Sequence, residues 1–311
     1  MRRPLRSAVL AAAVLGGGLA AALPVAVHPA LGRAHADGAA AAHYKQGLVL
    51  KNQGRDADAI AAFEQAVAAD SGHGMAWASL GHLYKKRGDQ ARTVQAYEQA
   101  SRILTKDAVV WSNLGMAYYR VDRLDDAIAA LERACRLAPK DADIRGNLGA
   151  LLRRKGDHEA AIKQLRWAVK LAPGEATYHN NLGVALRAAD KLDEAAAAFR
   201  KAIELSPNLA ELHFNLAVIY RRQEEIEKAI ASYERAVSLA ADHADAWYDL
   251  GHMYKLDHQP DKAIEAFNTF LELNQGKDAA AQTNVEGEIE ALGGTPVTRK
   301  PPPKKAPPKK K

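Results

Sequence analysis

Apolar and small residues return along this chain in a frame of 34. Glycine stands at 47, 81, 115, 149, 183 and 251, and Ala217 completes the series. Counting that glycine as position 8 of a repeat, position 7 is Gln46, Leu80, Leu114, Leu148, Leu182, Leu216 and Leu250. Position 11 is Leu50, Tyr84, Tyr118, Leu152, Leu186, Tyr220 and Tyr254. Position 4 is Trp77, Trp111 and Trp247, with His43, Arg145, His179 and His213 in the other copies. Positions 4, 7, 8 and 11 share one face of a helix, so the first half of each repeat predicts an amphipathic helix.

A break follows at positions 14–16, as in Lys155-Gly156-Asp157 and Arg87-Gly88-Asp89. Glycine supplies the turn, and acids such as Asp125-Asp126 or Asp193-Glu194 open the next helix, where the dipole favours negative charge. That second helix carries a small residue at position 20 (Ala59, Thr93, Ala127, Ala161, Ala195, Ala229, Ala263) and a large one at 24 (Phe63, Tyr97, Leu131, Leu165, Phe199, Tyr233, Phe267). Position 27 is alanine from Ala66 to Ala236 and Phe270 in the last copy, and Pro139, Pro173 and Pro207 stop the helix. A glycine inside a helix costs about 1 kcal/mol against alanine. Its recurrence therefore predicts two helices approaching where a Cβ would clash.

The frame predicts seven repeats, at 40–73, 74–107, 108–141, 142–175, 176–209, 210–243 and 244–277. A further helix at 278–292 has only a narrow apolar stripe of Val285, Ile289 and Leu292. A polar-backed helix of that kind closes a stack that would otherwise expose its last apolar face.

The motif W-x-x-L-G-x-x-Y, then A-x-x-x-F-x-x-A, then P resembles the tetratricopeptide repeat family throughout 40–277. The resemblance implies an all-α fold, a right-handed α-α superhelix (solenoid) of helix-turn-helix repeats plus a C-terminal capping helix. It also implies that first helices line a concave groove, with ligand contacts from positions 2, 5, 6, 9, 12 and 13. Position 6 is Lys45, Ser79, Asn113, Asn147, Asn181, Asn215 and Asp249. An asparagine amide donates and accepts together, so it can pair with a peptide backbone whatever its side chains. Packed helices lie about 8–10 Å apart and an extended chain advances about 3.3 Å per residue, so one asparagine would meet every third ligand residue. The ladder is similar to the asparagine-lined groove of the O-GlcNAc transferase repeats, although asparagine is also common at this position of the family consensus.

Positions 12 and 13 add a basic row that includes Arg153, Arg154, Arg187, Arg221 and Arg222. Two readings stand: a track for acidic ligand groups, or cations offsetting the dipole at a helix C-terminus. The family's carboxylate clamp wants lysine or arginine at positions 2 and 6 of the third repeat. This chain has Val109 and Asn113 there.

Charge is unevenly placed. The net charge is +6, yet eleven of the 43 basic residues lie in the first 36 and last 13 positions, and all 37 acids lie between Asp37 and Glu290. The body is acidic, so the basic isoelectric point is no argument for nucleic acid. Residues 1–36 read as a signal peptide: a basic start, an apolar run from Ser7 to Val27, and Ala34-His35-Ala36 as a small-x-small cleavage pattern. An exported protein, periplasmic or secreted and of bacterial type, is expected. An uncleaved anchor is the alternative, weakened by glycine breaks and Pro24.

Cys135 is the one cysteine, which leaves no internal disulfide and predicts a small buried hydrophobe. Asp249 and His252 share a helical face with His258 nearby, but no third and fourth ligand stands at suitable spacing, so no metal or cofactor is expected. No catalytic motif is found. Residues 295–311 form a Pro/Lys tail of polyproline-II character. Its Lys304, Lys305, Lys309, Lys310 and Lys311 either solubilise or contact an anionic polymer or lipid headgroups. The expected function is a non-catalytic extracytoplasmic protein–protein interaction scaffold that binds an extended peptide in its concave groove. The alternative is an accessory factor that binds an acidic glycan through the basic row and tail.

Overall fold

The computed structural model describes residues 29–297, with side chains from 38 onward. Among the described residues there are fifteen α-helices and no strand. The chain divides into two compact units, Met1–Ser71 and Gly72–Lys311. Residues 1–28 of the expected signal peptide lie outside the described residues, as does the tail from 298 with Lys304, Lys305, Lys309, Lys310 and Lys311.

The first unit holds α1 (Pro29–Asn52) and α2 (Asp56–Ala69). Helix α1 runs through Ala34-His35-Ala36. Phe63 is fully buried beneath α1, and a Cβ on Gly47 would lie 2.5 Å from its ring. Tyr44 packs on the same ring with centroids 5.6 Å apart.

The second unit is a helical solenoid of α3 (Gly74–Lys86), α4 (Gln90–Ile103), α5 (Ala108–Arg120), α6 (Leu124–Leu137), α7 (Ala142–Lys155), α8 (His158–Leu171), α9 (Ala176–Ala188), α10 (Leu192–Leu205), α11 (Ala210–Arg222), α12 (Ile226–Leu239), α13 (Ala244–Leu256), α14 (Pro260–Asn274) and α15 (Ala279–Ala291). Each helix packs on the next, and α9 also touches α7 and α11.

The position-8 glycines sit where the frame requires them. A Cβ on Gly81, Gly115, Gly149, Gly183 or Gly251 would come within 2.5–2.9 Å of the position-24 side chain sixteen residues on. At Gly115 it would also meet the Ala127 carbonyl at 3.0 Å, which no rotamer change can relieve. The facing alanines at positions 20 and 27 are fully buried, so large residues at 24 fill the space that small ones leave.

The turns are more uniform than the sequence suggests. Position 15 is left-handed in every turn from Gly54 to His258, whether it holds glycine (54, 88, 156) or Asp122, Asp190, Glu224 or His258. Each such turn is closed by the position-16 N–H donating to the position-11 carbonyl, as in Asp157 to Leu152 at 2.9 Å and Glu225 to Tyr220 at 2.9 Å. That is the closing bond of a Schellman ending.

Position 4 also has a common task. Trp111 Nε1, Arg145 Nε and Trp247 Nε1 donate to the carbonyls of Thr105, Pro139 and Ala241, each six residues earlier, at 2.8–3.1 Å. His179 and His213 place Nε2 at 3.0 and 2.9 Å from the Pro173 and Pro207 carbonyls. A carbonyl oxygen only accepts, so Nε2 carries the proton in both rings. Three chemically different side chains thus satisfy the same orphan group at the preceding helix exit.

Cys135 is half-buried at the margin of the α6–α11 core rather than inside it, because position 28 lies beside the buried stripe. Val285 and Ile289 are fully buried against α14, and the rest of α15 is largely polar or exposed. No described helix is long and apolar enough to cross a membrane.

Candidate functional site

The position-6 residues lie on the first-helix layer of the second unit, where α7, α9 and α11 are neighbours. They fall into two groups. Asn113 on α5, Asn147 on α7 and Asn181 on α9 are half-buried, and their amides have no hydrogen-bond partner among the described residues. Asn215 on α11 is buried and saturated. Its Oδ1 accepts from Arg187 Nη1 at 3.2 Å, and its Nδ2 donates to Asn180 Oδ1 and Glu211 Oε1, each at 3.3 Å.

Asp249 on α13 is also buried. It accepts from Arg221 Nη1 at 3.1 Å and from the Tyr233 hydroxyl at 3.0 Å. Burial raises the Asp249 carboxyl above its ordinary range, and Arg221 and Tyr233 pull the other way. The same burial holds His252 below its ordinary value. Among the described residues no group of three or more His, Cys, Asp or Glu is placed to hold a metal ion.

Position 5 sharpens the division. It is Ser112, Gly146 and Asn180 in α5, α7 and α9, but Phe214 and Tyr248 in α11 and α13. Phe214 packs edge-on to Tyr233, with centroids 5.8 Å apart, and lies 4.7 Å from the His243 ring. Tyr248 packs against His252 and Phe270 at 4.6 and 5.2 Å. Aromatic rings of position 5 therefore fill the layer at α11 and α13, whereas at α7 the space over Gly146 is taken by the buried Tyr178 ring of α9, 2.7 Å from where a Cβ would lie, whose hydroxyl donates to Asp143.

The basic row divides as well. Arg187 and Arg221 at position 12 bind position 6 of the following repeat, as above. Arg154 and Arg222 at position 13 reach back to the preceding turn, pairing with Asp122 at 3.2 Å and Asp190 at 2.7 Å. Arg154 also donates to the Tyr119 hydroxyl, and Arg222 to the Arg187 carbonyl. Arg153 has no hydrogen-bond or ion-pair partner among the described residues. Burial holds the Arg187 guanidinium below its ordinary value, and the like charges of Arg153 and Arg222 add to this. An anion placed beside Arg153 would relieve that repulsion.

Residues 5–225, more than two thirds of the chain, match the repeat family described as Cilia and flagella-associated protein 70 C-terminal domain. Residues 208–276 match the family described as Tetratricopeptide repeat. The chain belongs to the tetratricopeptide repeat family. No curated protein matches it. Among solved structures of tetratricopeptide proteins and their kin, it is similar to MamA at 26% identity, covering 53% of this chain and 97% of that one, with a TM-score of 0.51. It is similar to YrrB, "a TPR protein with an unusual peptide-binding site", at 20% identity, 62% and 99% coverage and a TM-score of 0.53. It is also similar to pilF of Pseudomonas aeruginosa at 19% identity, 69% and 97% coverage and a TM-score of 0.59. The tetratricopeptide repeat family is one of interaction scaffolds.

Proposed function

We propose that this chain is a non-catalytic scaffold acting outside the cytoplasm, which holds an extended segment of a partner protein across α5, α7 and α9. One observation carries the reading. Asn113, Asn147 and Asn181 keep their amides without partners, while Asn215, at the same repeat position, is saturated. A half-buried amide without a partner has donors and acceptors to offer a peptide backbone. Arg153, at the repeat position from which Arg187 reaches Asn215, favours a segment with an acidic group at that point. The described peptide-binding site of YrrB supports the view that this fold can hold a peptide.

The site is then narrower than the full row of Asn113, Asn147, Asn181, Asn215 and Asp249, and its centre is α7 and α9. The test is capture from envelope extract with wild type and with Asn147→Ala/Asn181→Ala, followed by titration of the captured segment. The double variant should lose affinity by about tenfold or more, as expected for two or more hydrogen bonds, with its helical circular dichroism unchanged. An undiminished affinity removes the asparagines from the mechanism.

The acidic-glycan reading draws less support, because Arg187, Arg221, Arg154 and Arg222 already have acceptors in the chain. It predicts binding that collapses with salt and depends on Arg153, Arg187 and Arg221 but not on the asparagines. Export rests on the basic start, the apolar run and Ala34-His35-Ala36. A mature N-terminus at Asp37 by mass spectrometry is the expected result, and an intact Met1 in the cytosolic fraction overturns it. Contact of the lysine tail with an anionic surface rests on composition alone.

A further inference from the structure

The solenoid separates charge between its middle and its C-terminal end. On α8, Lys163, Arg166 and Lys170 are exposed around Trp167, which is 42% exposed, the only tryptophan among the exposed large hydrophobics of the described residues. By helical period these residues fall on one face. Arg145 and Lys170 sit 5.1 and 4.8 Å from the Trp167 ring centroid. A depression of about 540 Å³ runs along this face. Arg166 pairs with Glu194, but Lys163 and Lys170 have no ion-pair partner among the described residues.

The opposite pattern stands at the other end. From Asp257 to Glu290 there are eight acids and two lysines. On α14, Asp261, Glu265 and Glu272 are exposed and lack an ion-pair partner among the described residues. Their spacing puts them on one narrow stripe, with Thr269 and Asn268, which accepts the Val297 N–H at 2.9 Å, beside it and one cation, Lys262, on its margin over the Tyr254 ring at 5.2 Å. In the second unit contacts run between helices one or two apart, and five helices lie between α8 and α14. A rigid solenoid of this kind offers the two faces to different molecules.

We propose that the α8 face docks on the α14 stripe of a second copy of this chain. Lys163 and Lys170 meet the acids, and Trp167 supplies the apolar centre of the contact. An exposed indole ringed by cations suits that role, since interface centres favour tryptophan and arginine and rims favour charge. The two faces are different surfaces, so the association is head-to-tail and each pair keeps one face of each kind free for further copies.

The test is sedimentation velocity on the full chain over a concentration series, at low salt of about 50 mM and at about 500 mM, where exposed charges are screened. Wild type should show a rise in mass with concentration at low salt that is lost at high salt. Lys163→Glu/Lys170→Glu should stay monomeric, and so should Glu265→Lys/Glu272→Lys. Mixing the two variants should restore the rise, because the reversed α8 then faces the reversed α14. A wild type that stays monomeric at low salt overturns the proposal, as does a mixture that fails to associate when each variant is folded by circular dichroism. A monomeric wild type whose α8 lysines are needed for binding phosphatidylglycerol vesicles overturns it in favour of a membrane contact.

Discussion

Asp249 replaces asparagine at a site whose chemistry is built for an amide. Asn215 meets Arg187 with Oδ1, and Asp249 meets Arg221 in the same way with a charge. Burial raises the Asp249 carboxyl, so folding disfavours its ionised form. The sign follows from linkage: this group's contribution is fully present below the ordinary carboxylate range and is lost as pH rises through the raised value. Asp249→Asn should therefore match wild type in mild acid and equal or exceed it in thermal midpoint at pH 7.5. Asp249→Ala strands Arg221, whose Nε already lacks a partner, and the Tyr233 hydroxyl. Stranding both should cost roughly 2–3 kcal/mol. If the asparagine variant falls as far as the alanine one at both pH values, the ion pair outweighs the burial. At this scale the sequence was partly legible. Gly115 and Gly183 announced close packing by recurrence alone, and the structure supplies the clashing atoms. The saturation of Asn215 was not legible, because it depends on Arg187 and Asn180 reaching across from another helix.

At the scale of the element, the turns carry a cost that varies from repeat to repeat. Position 15 is left-handed throughout, and an L-residue there is strained where glycine is not. Asp122 and Asp190 offset part of that strain by accepting from Arg154 and Arg222. Glu224, at φ 60°, is exposed and has no such partner. Glu224→Gly should therefore stabilise by about 0.5–1 kcal/mol, allowing for the added freedom of the unfolded chain. Asp190→Gly should be near neutral, since it gives up an exposed ion pair of about 0–1 kcal/mol while relieving the same strain. Denaturant midpoints of the two variants check this, and a Glu224→Gly protein less stable than wild type would show that the turn is not strained. The helices themselves were legible from the 34-residue frame. The identical turn geometry was not, because four different residues occupy position 15 and only the backbone shows what they share. Likewise Trp111, Arg145 and His179 look unrelated until each is seen donating to the carbonyl six residues before it.

In the molecule as a whole, the second unit is a chain of local contacts, so damage should stay local. Helix α15 is held by Val285 and Ile289 alone among its fully buried residues, whereas the α6–α11 core is continuous from Ala127 to Ile219. In such an array each element is stabilised by its neighbours, and there is no single core through which a lesion spreads. Ile289→Ala should remove about 2–4 kcal/mol from the docking of α15 and raise amide exchange in α15 and α14. Exchange in α7 and α9 should not change, and neither should affinity for a segment held at Asn147 and Asn181. Hydrogen exchange by mass spectrometry separates these outcomes. A loss of protection spread evenly from α3 to α15 would mean that the solenoid unfolds as one body, and the open asparagines would then owe their geometry to the whole stack rather than to α5, α7 and α9.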